Sequence, residues 1–482
     1  MLSALTVGVA TVMLGGGSGL VGFHQDSNLD PVEGFGGWYG WSTDLHESVG
    51  IIGSPKNEAG QAEVIYISDF NGSVVGSDTL TASDGETDDQ FGYAVTIGEV
   101  TGATDGGVAF VSAPAWADSE GPDYEGAVYV FTDDGSGSVT ESHQITLDNP
   151  GTFGARFGTG IDFDGVRLVV GAGWESLEDD GEGGEILKHG AAYVYTIAAN
   201  GTPTLEQRLI SDAPQFEAYF GTTVAIDGDQ LVVSALGETG DVAYGGAVYV
   251  FERNESGVWV QTDHVRPDEA EYGASFSYSL DLAGDTLVVG SPYRSGGDNG
   301  EGIPYNAHGM VHIFERVGGV FTEVQQVVPQ QHAMGFVWGW SLEYDGASLA
   351  IGAINWATAE LGEGAVALWE QGPDGLFTQV RLIQSSDVAY GDQFGTSVAL
   401  SGDRVLVGLW GQLDEVSGGG AYLFSRGCGG DFDDGGVIDT DDVMEVILDW
   451  GSTGISPTDI EQDLEVGIYD LLVLLEHYGV CG

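Results

Sequence analysis

Short apolar runs separated by polar turns recur along most of this chain. Residues 393–410, QFGTSVALSGDRVLVGLW, contain two such runs joined at Gly402-Asp403, a pair of residues typical of a tight β-hairpin. Similar pairs of runs elsewhere are followed by a third run such as GAVYVF at Gly246 and, after a polar turn, by a fourth such as GVWVQTDHV at Gly257. The pattern therefore predicts a unit of four short strands.

This unit occurs seven times, and each copy opens with an aromatic residue followed by a small one. The seven openings are Tyr39-Gly40, Phe91-Gly92, Phe157-Gly158, Phe220-Gly221, Phe276-Ser277, Trp338-Gly339 and Phe394-Gly395. A spacing of about 60 residues is long for a solenoid repeat and suits a four-stranded sheet with its loops. The fold class we predict is mainly β, a seven-bladed β-propeller of four-stranded blades.

The N-terminal end of the repeat region predicts how the ring closes. The seventh copy stops at Ser425 without a fourth strand, while VGFHQDSNL, residues 21–29, precedes the first copy. Its position before the first copy corresponds to the position of residues 257–265 before the fifth copy. We expect this N-terminal strand to complete the last blade, which would cover an open sheet edge.

The recurring elements FG, GD.LVVGAP and GAVYVF resemble the FG-GAP repeat of the propeller in integrin alpha chains and in many bacterial surface proteins. The resemblance covers residues 21–426 and implies a binding or adhesion role. In that family some blades carry a calcium cage, D-x-D-x-D-G, in the first hairpin. Here the hairpins have tight turns such as residues 227–229, and the longer turn of the second copy has Thr101 and Ala103, which are poor ligands. We expect no well-formed calcium cage inside the propeller.

The loops differ in length on the two faces of the predicted propeller. Loops between strands two and three and loops between blades share one face, which we call the long-loop face; examples are residues 174–189 and 293–308. Binding is expected there, because variable loops on a rigid scaffold commonly carry function. Five of these loops open with an aromatic candidate for binding a glycan or a protein: Trp116, Trp174, Tyr293, Trp356 and Trp410. The alternative is that each ring packs against the neighbouring blade.

Catalytic signals are weak in this sequence. The nine His residues are scattered, and neither an H-E-x-x-H motif nor a nucleophile elbow is present. His308 and His312 are interpreted as ordinary residues on or beside a strand. Carboxylate pairs are too frequent to indicate glycosidase chemistry. The propeller is therefore predicted to be non-catalytic.

The charge balance narrows the range of partners. The chain has 12 Lys and Arg against 75 Asp and Glu, a formal net charge of -63. Such a surface repels nucleic-acid backbones and anionic lipid headgroups, so neither nucleic acid nor membrane insertion is expected. Solvation in a salty medium and binding of divalent cations both fit this composition.

Residues 1–20 are predicted to be a signal segment. The stretch from Leu2 to Leu14 is nearly all apolar or small, is too short to span a bilayer, and resembles the apolar part of a secretory signal. We therefore expect an extracellular or cell-surface location.

Residues 427–482 follow a different pattern, an acidic loop followed by an apolar i, i+3, i+4, i+7 stripe, repeated after 28 residues. Oxygen ligands at loop positions 1, 3, 5, 9 and 12 are typical of a calcium-binding EF-hand-type loop. The candidate ligands are Asp431, Asp433, Asp439 and Asp442 in the first loop and Asp459, Glu461, Asp463 and Asp470 in the second. The second loop is expected to bind calcium more weakly, because Leu464 stands where a left-handed residue is needed.

Two such loops, each followed by a helix, resemble the dockerin module, whose loops also end in Asp. The resemblance implies attachment through a cohesin-like or cell-surface partner. Thr440-Asp441 and Ile468-Tyr469 depart from the hydroxyl residues that dockerins carry at these positions. The alternative is a terminal domain stabilised by calcium that has no partner.

Cys428 and Cys481 flank this segment and are the only cysteines. In an exported chain they are predicted to form a disulfide, with a zinc-binding or reactive thiol role as the alternative.

Together these features predict a secreted, non-catalytic protein that recognises a glycan or an extracellular protein through the long-loop face. Its calcium-binding tail would serve for attachment. Two alternatives remain open, an extracellular polysaccharide-active enzyme or complex component, and a structural cell-envelope protein.

Overall fold

The structure is a computed structural model of the 482-residue chain. It describes residues 21–29, 38–56, 59–68, 73–101, 107–117, 124–133, 139–147, 154–176, 186–240, 242–269, 271–294, 308–328, 337–356, 362–384, 391–411, 419–428, 440–448, 450–451, 466, 468 and 471. For residues 21–28, 426–428, 440–442 and 445 only the backbone is described.

The compact unit His24–Ser425 consists of seven four-stranded sheets, the blades of a β-propeller. The first strand of the chain and those of blades 1 to 4 are β1 Val21–Leu29; β2 Ser42–His46, β3 Val49–Ser54, β4 Gln61–Ile67, β5 Val74–Leu80; β6 Val95–Glu99, β7 Gly107–Ala113, β8 Ala127–Asp133, β9 Val139–Thr146; β10 Phe157–Phe163, β11 Arg167–Ala172, β12 Ala191–Ile197, β13 Pro203–Leu209; β14 Phe220–Asp227, β15 Gln230–Ala235, β16 Ala247–Arg253, β17 Trp259–Val265. Those of blades 5 to 7 are β18 Leu280–Ala283, β19 Thr286–Ser291, β20 Met310–Val317, β21 Val320–Val327; β22 Trp338–Tyr344, β23 Ser348–Ala353, β24 Ala365–Gln371, β25 Phe377–Ile383; β26 Ser397–Ser401, β27 Arg404–Leu409, β28 Gly420–Cys428.

The N-terminal strand closes the ring, as the sequence predicts. In the seventh sheet the strand order is β1-β28-β27-β26, so β1 takes the outer place that the fourth strand holds in the other blades. At the inner edge, Ser397 Oγ of blade 7 donates a hydrogen bond of 2.9 Å to the Gly40 carbonyl of blade 1. Tyr39 also forms a parallel bridge with Gly419. The first and last blades are thus joined by side-chain and backbone contacts.

The middle strands of the blades form the core. Val169 and Val194 of blade 3 belong to the same buried apolar cluster as Val224 and Val233 of blade 4, so adjacent sheets pack face to face. Strands buried on both faces need continuous apolar runs, which explains sequences such as LVV and AVYV. Outer strands such as β9 alternate between exposed and partly buried residues, because one face meets solvent.

The aromatic residues that open five of the blades donate a backbone hydrogen bond to the preceding blade: Phe91, Phe157, Phe220, Trp338 and Phe394. Phe220 is fully buried, and its N–H donates a hydrogen bond of 2.8 Å to the His189 carbonyl of the preceding blade. Gly190, beside it, has φ +89°, and a Cβ there would lie 2.0 Å from the Phe220 carbonyl oxygen. Only glycine fits such a position. The residue before each aromatic also has positive φ: Trp38, Gln90, Arg156, Tyr219, Ser275, Val337 and Gln393.

Beyond Ser425, the described part of the chain contains one short helix, α1 Thr440–Leu448. Val446 is buried, whereas Ile447 and Trp450 of the same predicted stripe are 45% and 49% exposed. Of the second predicted helical stripe only Leu471 lies within the described residues, so the dockerin-like module stays a prediction. No described helix has the length and apolar character needed to cross a bilayer.

Candidate binding face and central channel

The first strands of all seven blades line an open cavity of about 280 Å³ at the centre of the ring. In six of the seven blades, the residue five positions after the aromatic opening lines this channel. In blades 1 to 6 these are Asp44, Thr96, Asp162, Ala225, Asp281 and Glu343. Four carboxyl groups therefore line one cavity.

Three of these carboxylates connect neighbouring blades. Asp44 Oδ2 accepts hydrogen bonds of 2.8 Å from Thr96 Oγ1 and from the backbone N–H of Ile97. Asp162 Oδ2 accepts one of 2.7 Å from the N–H of Ile226. The same arrangement joins blade 5 to blade 6 through Asp281. Blades 1, 3 and 5 are therefore each linked to the next blade by an aspartate.

Burial and mutual repulsion raise the pKa values of the channel acids. Desolvation raises the pKa of Asp162 well above its ordinary value, and the charge of Asp281 adds to the shift. The pKa of Glu343 is also raised well above normal, first by burial and then by Asp281, Asp44 and Asp162. The backbone hydrogen bonds of Asp281 and Asp44 oppose the rise in their pKa values. The channel thus favours protonation of some of its carboxyl groups.

Aromatic rings gather near the channel at the joint between blades 7 and 1. Trp38 stacks on Trp41 with ring centroids 5.0 Å apart and on Trp410 with centroids 5.2 Å apart. Tyr93 of blade 2 continues the group, 5.8 Å from Trp41. Trp41 also lines the channel. These rings pack across the closing joint, and Trp41 is the one that borders the cavity.

A second aromatic group lies between blades 5 and 6. The Tyr278 and Trp340 rings, which line the channel, have centroids 4.7 Å apart. Tyr293 meets the Tyr278 ring edge-on at 6.2 Å and is itself 43% exposed. Tyr293 is therefore the member of this group most accessible to a ligand.

The five predicted aromatic candidates lie in different environments. Trp356 is 3% exposed, which fits packing within the blade rather than contact with a ligand. Trp116 is partly buried and donates a hydrogen bond of 3.2 Å to Asp84. Trp174 lies between cationic side chains, and Trp410 belongs to the tryptophan group described above. The structure brings no two of these five rings into contact with each other within the described residues.

The exposed aromatic residues of the propeller are mostly different ones. They all lie in loops of the long-loop face: Tyr124, Phe216, Tyr244, Tyr272 and Tyr293. Tyr272 is 75% and Phe216 is 62% exposed, and Tyr244 meets Tyr272 edge-on at 6.5 Å. The sequence alone does not show that these rings are exposed, because aromatic residues in such loops can equally pack against a blade.

Several other predicted site residues lie outside the described part of the chain. This is the case for the side chains of all eight candidate calcium ligands and of Cys428 and Cys481, so the calcium and disulfide predictions stay predictions. Among the described residues no group of three or more His, Cys, Asp and Glu could hold a metal ion. His312 is fully buried, with Nδ1 2.8 Å from Glu323 Oε1.

A second cavity, of about 160 Å³, lies between blades 1 and 2 on the face opposite the long loops. Its walls include Val49, Val64 and Ile97. Its lining also includes His46, Tyr66 and the acidic residues Glu47, Glu99 and Asp133.

Comparison with protein families agrees with this geometry. Residues 77–131, 203–251 and 377–424 match a family model described as FG-GAP repeat. Each match runs from the fourth strand of one blade to the third strand of the next, so the sequence repeat is offset by one strand from the blade. No curated protein is significantly similar to the chain. The chain thus carries FG-GAP repeats on a seven-bladed propeller, a fold typical of binding and adhesion proteins.

Proposed function

We propose that this is a secreted, non-catalytic binding or adhesion protein that recognises a glycan or an extracellular protein through the long-loop face. The observation that carries the proposal is that the exposed aromatic side chains of the described propeller all lie in loops of this face. Aromatic rings that remain exposed on a rigid scaffold are favourable anchors for sugar rings and for partner proteins.

The channel acids support a non-catalytic role. Asp44, Asp162 and Asp281 each accept hydrogen bonds from two backbone N–H groups, one of them on the next blade. Carboxylates engaged in this way stabilise the ring, which accounts for them without catalysis. A reducing-end release assay on polysaccharides tests this directly: turnover that is lost on substitution of a single channel carboxylate would contradict the proposal.

The C-terminal segment is proposed to bind calcium and to attach the protein to a cohesin-like or cell-surface partner. The spacing of the acidic residues supports calcium binding. Exposure of Met444, Ile447, Leu448 and Trp450 in and just after α1 supports a protein contact, since exposed apolar groups of this kind often mark an interface. Export and a Cys428–Cys481 disulfide belong to the same proposal.

The binding face is tested with an array of neutral and acidic polysaccharides, combined with pull-down from the native surroundings. We expect Phe216→Ala and Tyr272→Ala to weaken binding by about tenfold or more, as expected for aromatic anchors. Val320→Ala is a matched control, because Val320 is 49% exposed on β21. If all three variants bind like the unmodified protein, the binding face lies elsewhere.

A further inference from the structure

Two cationic side chains of blade 3 lie against aromatic rings on the long-loop face. The guanidinium carbon of Arg156 is 4.0 Å from the centroid of the Trp174 ring and 5.0 Å from that of Tyr124. Nζ of Lys188 is 4.5 Å from the Trp174 centroid and 6.0 Å from that of Tyr219. We call these five residues the cation–aromatic strip.

The strip places two positive charges close together in a chain that has 12 basic residues against 75 acidic ones. Six arginines of the described residues form ion pairs with carboxylates: Arg167, Arg208, Arg253, Arg266, Arg294 and Arg316. Arg156 and Lys188 form none with a described carboxylate, and Nε of Arg156 is buried without a hydrogen-bond partner there. Aromatic faces stabilise a cation without neutralising it.

Backbone hydrogen bonds across two blade junctions position the strip. The N–H of Arg156 donates to the Tyr124 carbonyl at 2.9 Å, and the N–H of Tyr219 donates to the Lys188 carbonyl at 3.1 Å. The N–H of Trp174 donates to the Ala155 carbonyl at 3.1 Å. The two positive charges are therefore carried by a scaffold that spans blades 2, 3 and 4, which limits the ordering cost of binding.

We propose that the cation–aromatic strip binds the acidic group of an anionic saccharide, a sugar that carries a carboxylate or a sulfate. This inference rests on the proposed function and specifies the ligand class of the same face. Hydrogen bonds from cationic donors to an oxyanion are the strong ones, and Arg presents a planar set of donors suited to carboxylate and sulfate. Tyr124, the member of the strip that is 42% exposed, supplies a ring for stacking on the sugar.

The overall charge of the protein sets the conditions for the experiment. A formal charge of -63 repels any anion at long range, whereas the contact with the strip is local. At about 0.15 M salt the Debye length is about 8 Å, which screens the distant charges more than the contacting ones. Binding is therefore measured with the full chain at this ionic strength.

The experiment compares three probes by isothermal titration calorimetry: a short oligogalacturonate, its uncharged methyl ester, and a sulfated galactan oligosaccharide. We expect at least one acidic probe to bind about tenfold or more tightly than the methyl ester. Arg156→Gln and Lys188→Gln should each remove about tenfold of that preference while leaving the melting temperature close to that of the unmodified protein. Lys56→Gln is the matched control, because Lys56 lies over Trp38 at 4.8 Å outside the strip.

Each outcome separates this inference from the proposed function. Equal binding of the acidic probes and the methyl ester would overturn the inference and retain a glycan-binding face. Absence of binding by all three probes would also overturn it, leaving a protein ligand for the proposed face. If an acidic probe binds and the Lys188→Gln protein, with unchanged melting, binds it equally well, the strip is not the site. Because Arg156 has a buried Nε, Lys188→Gln is the decisive variant if Arg156→Gln lowers the melting temperature.

Discussion

Asp281 Oδ2 of blade 5 accepts a hydrogen bond of 2.6 Å from the backbone N–H of Tyr344 in blade 6. Its other oxygen accepts one of 2.7 Å from the N–H of the next residue, Leu282. Asp44 and Asp162 repeat this arrangement in blades 1 and 3. The hydrogen bonds offset part of the cost of placing carboxylates in a narrow channel, and they join blades in pairs around the axis.

Substitution of Asp44 tests the contribution of these links to stability. Asp44→Ala leaves the N–H groups of Leu45 and Ile97 and the Thr96 hydroxyl without their acceptor, so we expect a loss of about 1–3 kcal/mol in the free energy of unfolding. Asp44→Asn, which keeps one acceptor oxygen, should lose less. Urea denaturation measures the difference, with Asp285→Ala on an exposed hairpin turn as the control. Equal stability of Asp44→Ala and the control would mean that channel water replaces the carboxylate.

The raised pKa of Glu343 predicts that protonation of this side chain stabilises the folded protein, so that its contribution to stability depends on pH. Its pKa is raised by burial and by Asp281, Asp44 and Asp162, so the folded state binds a proton more strongly than the unfolded state does. The stability that this proton provides is complete below the ordinary pKa of 4.5 and is lost as the pH rises through the higher folded value. Glu343→Gln removes the charge, and we expect it to raise the free energy of unfolding by about 1–2 kcal/mol at pH 8.

The measurement is the melting temperature of both proteins between pH 4 and pH 8. The gain from Glu343→Gln should shrink toward zero at the acidic end, where the wild-type side chain is already neutral. A gain of the same size at every pH would show that repulsion in the channel is not its cause.

Substitution of Gly190 tests the close contact between blades 3 and 4. Gly190→Ala places a Cβ 2.0 Å from the Phe220 carbonyl oxygen at φ +89°, so we expect a loss of about 3 kcal/mol or more in the free energy of unfolding. Gly228→Ala is the control, because Gly228 also has positive φ but no atom within 4 Å of the added Cβ. It should lose only about 1 kcal/mol. Similar losses in both variants would contradict the close approach at Gly190.

Removal of β1 tests ring closure. Deletion of residues 21–29 leaves β28 as an unpaired outer edge of the seventh sheet. Exposed strand edges recruit other chains, so we expect a lower melting temperature and concentration-dependent association in sedimentation experiments. A monomeric deletion protein with unchanged melting would show that three strands suffice for this blade.

The calcium prediction is tested in the full chain. Calcium should bind with a chelator-reversible heat in calorimetry, and Asp442→Ala should remove most of that heat, since position 12 of the first loop supplies a principal ligand. Asp441→Ala is the matched control, because position 11 provides no ligand in such a loop. Loss of calcium binding in both variants, or in neither, would contradict the assigned ligands.

The channel and the binding face differ in how far the sequence reveals them. Asp44, Asp162, Asp281 and Glu343 occupy one position of the repeat, so an alignment of the seven copies places them at equivalent sites. That they share one cavity follows only from closure of the ring. No pattern in the sequence indicates that the rings of Tyr244 and Tyr272 are exposed, because their exposure depends on how each loop packs.

The sequence by itself determined the number of blades, the four strands of each and the place of the N-terminal strand, because period-2 apolar runs and the repeated aromatic-Gly openings are local patterns. Tertiary structure alone decided which side chains meet across blades: the acids that face one another in the channel, the rings left exposed, and the cations held by aromatic faces. These are contacts between residues distant in the chain. Burial and electrostatic repulsion act through distances in space, which only the closed ring defines.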